Sequence, residues 1–64
     1  MKYSNLGTLI RERREALGLS QSRLARFSGL WQYALVGLEA GTSSDLEINQ
    51  VAQVLSVLGL DLDP

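Results

Sequence analysis

The sequence predicts a small all-α domain, a bundle of four to five short helices, and three observations predict it. The chain has 64 residues, enough for one domain over residues 1–64 and no more. Its apolar residues recur at helical spacing, as in Ile48, Val51, Ala52, Leu55 and Leu58. Glycines at 7, 18, 29, 37, 41 and 59 punctuate these runs, and the single proline is residue 64. A core this small is marginal, so each element must be well specified or the chain must oligomerise.

Helix one is expected from Leu6 to Leu17, with Ser4 or Asn5 as its N-cap. Leu6, Ile10, Arg13 or Arg14, and Leu17 share its inner stripe, and Gly18 supplies the left-handed residue that ends it. Helix two is expected from Ser20, a good N-cap, to Phe27, with Leu24 and Ala25 inward and Gly29 making the turn. Helix three covers Trp31 to Ala40, with Leu35 and Leu38 inward and Gly41 at its end. Ser44-Asp45-Leu46-Glu47 matches a capping box and opens helix four. Its inner stripe is Ile48, Val51, Ala52, Leu55 and Leu58, and Gly59 stops it. Leu60 and Leu62 are left for a short C-terminal strand or turn.

Composition removes whole classes of function. There is no cysteine and no histidine, so the commonest metal ligands and the commonest general base are missing. No nucleophile–base pair can be assembled, and no two carboxylates suit a catalytic dyad. A non-enzymatic protein is therefore expected, with no cofactor, no metal and no small-molecule substrate. No apolar run approaches the roughly 20 residues of a membrane span. Met1-Lys2-Tyr3-Ser4-Asn5 has no signal-peptide core behind it. A cytoplasmic location without a membrane partner is the expectation.

The net charge of −1 argues against strong non-specific attraction to DNA. Its distribution is uneven. All six basic residues (Lys2, Arg11, Arg13, Arg14, Arg23, Arg26) precede residue 27, and five of the seven acids follow residue 38. Arg11, Glu12, Arg13 and Glu15 read as a solvated face of helix one, with Arg11 pairing Glu15 one turn on.

Short helices joined by turns of three or four residues, the middle turn containing glycine, describe a helix-turn-helix unit. The residues that carry a resemblance are Ile10-Arg11, Arg14, Gly18-Leu19-Ser20-Gln21, Leu24-Ala25, Ser28-Gly29-Leu30, Leu35 and Leu38-Glu39-Ala40-Gly41. In this combination the chain resembles the Cro/CI-type (XRE) helix-turn-helix family, with its lambda-repressor-like fold. The ending from Val51 to Leu62 is similar to short antitoxin-type members, in which a terminal strand can pair across a dimer. The resemblance implies an internal ion pair between Arg14 and Glu39, a phosphate contact from Gln21, and base recognition by helix three.

Helix three departs from the family's pattern. Trp31 stands where members usually carry a Ser or Thr cap, and an indole cannot accept the helix N–H bonds. Of the outward positions only Gln32 keeps an amide able to bind adenine. Tyr33 can donate to a phosphate or stack, whereas Ala34, Val36 and Gly37 offer no base readout. From Phe27 to Pro64 there is no Lys or Arg. Phe27, Trp31 and Tyr33 place three of the four aromatics within seven residues. Two of them have a plainer reading, Trp31 as a lid on the core and Phe27 as a partly buried core edge, whereas Tyr33 points away from the stripe of Leu35 and Leu38.

Two functions follow. In one, the helix-three face has been remodelled for protein binding, with the concentration of changes resembling deliberate engineering. Its residues are Phe27, Trp31, Gln32, Tyr33, Val36, Ser43, Ser44 and Glu47, and its partner is another protein or a second copy in a homodimer. In the other, the chain is a sequence-specific DNA-binding transcriptional regulator or antitoxin acting as a dimer, through Gln21, Arg23, Gln32 and Tyr33. The lost cap, the lost polar face and the lost positive charge favour the first.

Overall fold

Each helix is bounded by the residues that flank it. The structure, a computed structural model, describes residues 3–42 and 46–60, the first three by backbone alone. Four helices run in order: α1 (Tyr3–Ala16), α2 (Gln21–Ser28), α3 (Gln32–Ala40) and α4 (Ile48–Val57). No fifth helix and no strand occur among the described residues. All four helices close with the same bond, from an N–H to the carbonyl five residues back: Leu19 to Arg14, Leu30 to Ala25, Thr42 to Gly37 and Leu60 to Leu55. The glycine beside each bond adopts the left-handed conformation the turn needs; around α3 these are Gly29 at φ 73° and Gly41 at φ 76°.

Several expectations need correction. The first helix begins at Tyr3, so Ser4 and Asn5 lie inside it and not at its N-cap position. Leu17 falls just past the end of α1, where the chain has begun to turn, and is nearly half exposed instead of facing the core. The capping box of α4 lies one turn later than Ser44-to-Glu47 implied. Glu47 is itself the N-cap, with extended backbone angles, and its N–H donates to Gln50 Oε1 at 2.9 Å. Ile48, on the expected inner stripe, sits in the first turn and projects into solvent, while Val54 takes a core place. Leu60 is spent on closing α4 and forms no strand; Leu62 lies outside the described residues. Glu15 pairs with Arg14 at 4.0 Å, and not with Arg11.

The core is Leu6 and Ile10 of α1, Leu24 and Ala25 of α2, Leu35 and Leu38 of α3, and Val51, Val54, Leu55 and Leu58 around α4. Helix α3 packs on α1 and α2, and α4 packs on α2. Gly7 sets the closest of these approaches. A Cβ there would press on the carbonyl oxygens of Leu38 and Glu39, only 2.6 Å from the second. The Arg13 guanidinium adds a polar tie, its Nε donating to the Leu58 carbonyl at 3.1 Å across the end of α4. No helix among the described residues is long and apolar enough to cross a membrane.

Candidate functional site

Besides the shared core, an ion pair ties the bihelical unit α2–turn–α3 to α1. Arg14 of α1 grips Glu39 of α3 at two points, Nε to Oε2 at 2.7 Å and Nη2 to Oε1 at 3.1 Å. Its Nη1 donates to the Leu19 carbonyl at 2.9 Å, in the turn before α2. Glu39 is buried and Arg14 nearly so. The hydrogen bond to Glu39 holds the Arg14 guanidinium above its ordinary pKa, although burial pulls the other way. Both charges are desolvated, so the pair adds less net stability than its short distances suggest. What it fixes is the attitude of α3 relative to α1 and the α2 entry.

Gln21, the first residue of α2, joins this network. Its Nε2 donates to Glu39 Oε1 at 3.1 Å, so one end of the amide faces inward. The resemblance had placed this side chain on a phosphate; here one of its two amide hydrogens is engaged within the protein. The N-terminus of α2 is otherwise conventional. Ser20 caps it, its Oγ accepting the Arg23 N–H at 3.1 Å. The Arg23 and Arg26 side chains are exposed, and neither is in an ion pair among the described residues.

Helix α3 turns its other side to solvent. Trp31 and Tyr33 are each 75% exposed, Phe27 57% and Val36 43%. Gln32 is exposed beside them. Trp31 therefore does not act as a core lid, and Phe27 is more than half exposed. Trp31 occupies the N-cap of α3 without a side-chain cap bond; its carbonyl takes the N–H groups of Ala34 at 3.0 Å and Leu35 at 3.3 Å. The only charged side chain on α3 is the buried Glu39, so the helix's outward surface is uncharged.

The structure thus gathers Phe27, Trp31, Gln32, Tyr33 and Val36 on the α2–α3 unit, with Gln21 and Arg23 at the start of α2. Glu47 belongs to another element, as the exposed cap of α4. Ser43 and Ser44 lie outside the described residues. Sequence reasoning missed the Gln21–Glu39 bond, the exposure of Ile48 and the buried Ser28, whose Oγ has no hydrogen-bond partner among the described residues. A glutamine at the first turn of a helix gives no sign of which way its amide faces. Among the described residues no group of His, Cys, Asp or Glu could hold a metal ion. Comparison with protein families matches residues 10–64 to the family described as helix-turn-helix. A search of curated proteins found no match.

Proposed function

The chain belongs to the helix-turn-helix family, built on a DNA-binding scaffold of the Cro/CI (XRE) kind, and on that premise we propose that it docks α3 against the major groove of duplex DNA. The observation that supports this is the outward presentation of α3. Gln32, Tyr33 and Val36 all face solvent on a helix held rigidly by Arg14–Glu39. Gln32 is the base reader, its amide pairing with adenine through one donor and one acceptor. Arg23 supplies a phosphate contact and Tyr33 a phosphate or thymine-methyl contact, while the free N–H of the Gln21 amide remains available beside them.

The electrostatic part of this interface is thin. Counterion release gives a salt slope of about −0.9 per neutralised phosphate. Arg23 and Arg26 alone then give a slope of about −2 per domain, with weak non-specific binding. Selection from randomised duplexes, followed by titration of the enriched sequence at several salt concentrations, tests the proposal. An enriched site with a shallow slope is expected; no enrichment refutes it.

A second reading has a specific observation in its favour. Phe27, Trp31, Tyr33 and Val36 are exposed together, and no Lys or Arg follows Arg26. Aromatic anchors on an uncharged helix, bordered by polar side chains, have the anatomy of a protein-docking surface. On this reading the same face takes a protein. Titrations of DNA and of protein probes against Trp31, the only tryptophan, separate the two.

A further inference from the structure

Two features of the α2–α3 face have to be satisfied by whatever occupies it. The first is apolar area. Trp31 and Tyr33 stand three quarters exposed, and Phe27 more than half. Phosphate takes at most the Tyr33 hydroxyl and leaves the ring faces uncovered, whereas burial in an apolar pocket of another protein turns them into anchors. The second is the sign of the surrounding charge. Arg23 and Arg26 are exposed on α2, and neither α2 nor α3 exposes an acid. The surface is neutral along α3 and cationic along α2.

We propose that this face docks an acidic protein segment carrying an apolar stripe, and that its seating there excludes DNA. The inference rests on the protein-docking reading and names the partner's chemistry. Charge selects among the occupants. A second copy brought in by a two-fold axis through this face offers the same uncharged and cationic surface, with no exposed acid on α2 or α3 to meet Arg23 and Arg26, which disfavours self-pairing. A basic partner is repelled by the two arginines. An acidic one places its carboxylates on Arg23 and Arg26 while its apolar stripe covers Trp31, Tyr33 and Phe27. Gln32 and Tyr33 are the residues assigned to DNA, so the two ligands compete for one surface.

The test uses the full chain and two synthetic helical peptides with the same apolar face, one with Glu and one with Lys at its polar positions. Trp31 emission reports occupancy. The Glu peptide is expected to shift that emission to the blue, saturably and less at high salt; the Lys peptide is expected to leave it unchanged. Arg23→Glu with Arg26→Glu should weaken the Glu peptide about tenfold or more, with helical circular dichroism retained. The duplex enriched by selection should be displaced by the Glu peptide. If neither peptide moves the emission, protein docking itself falls. If the Lys peptide binds as well as the Glu peptide, docking stands and the acidic partner is overturned. Emission that moves blue with protein concentration alone makes a second copy the occupant and overturns the proposal. Unchanged affinity in the folded arginine variant overturns the charge argument. If the Glu peptide binds and the duplex does not, or both bind at once, the exclusion of DNA is overturned.

Discussion

Replacing Gly7 by alanine probes the approach of α1 to α3 that sets the position of the outward face. The new Cβ would lie against the Leu38 carbonyl oxygen and 2.6 Å from that of Glu39. Both obstacles are backbone, so no side-chain rotation relieves them, and α1 must move away from α3. Overpacking of this kind costs about 1–3 kcal/mol. Alanine is in turn better than glycine in a helix interior by about 1 kcal/mol. With the steric term at its upper end, the net loss is about 1–2 kcal/mol. For a domain of this size that lowers Tm by about 4–16 °C. Thermal and urea melts followed by far-ultraviolet circular dichroism measure it. The sign decides the matter: a Gly7→Ala protein as stable as the parent, or more stable by the helix-propensity gain, would mean that α1 and α3 are not in contact there.

The cap of α3 offers an opposite expectation. Trp31 is mostly exposed and caps nothing, so Trp31→Ser should stabilise the domain by about 1 kcal/mol through a new N-cap bond; a loss of stability in a urea melt would place the indole on the core after all. Glu39→Ala leaves the Arg14 guanidinium nearly buried without its partner and should cost about 3–5 kcal/mol, enough to unfold much of so small a domain at room temperature. A folded, cooperative Glu39→Ala protein with parental Tm would refute the holding role given to the pair. Gln32→Ala should lower affinity for the selected duplex by about 1–3 kcal/mol and relax preference at one base pair, leaving the salt slope unchanged. A uniform loss across all sequences would instead make Gln32 a backbone contact.

Much of the fold was legible because local and global signals agree. The glycines at 18, 29, 41 and 59 end helices, and Ser20 caps α2, because backbone geometry and cap chemistry act over a few residues. The start of α4 was misplaced for the same local reason. Residue preference ranks Ser44-to-Glu47 first as a capping box, yet the helix takes Glu47 as its cap and Gln50 as the reciprocal acceptor. Ile48 has the right period and the wrong position, since a stripe does not state where the core beneath it stops. The Arg14–Glu39 pair followed from resemblance and not from spacing; the two residues lie 25 positions apart. The outward face of Phe27, Trp31 and Tyr33 could be suspected from their departure from a polar pattern. Its exposure required the packing of α3 on α1 and α2 to be seen.

The account turns on α3 being the surface that meets DNA. The most direct measurement is a map of backbone amide shifts, recorded while the duplex enriched by selection is titrated into the labelled protein. Shifts gathered at the start of α2, around Gln21 to Arg23, and along Trp31 to Val36 are the predicted result. A duplex that shifts neither segment, or that acts only through α1 or α4, would contradict it.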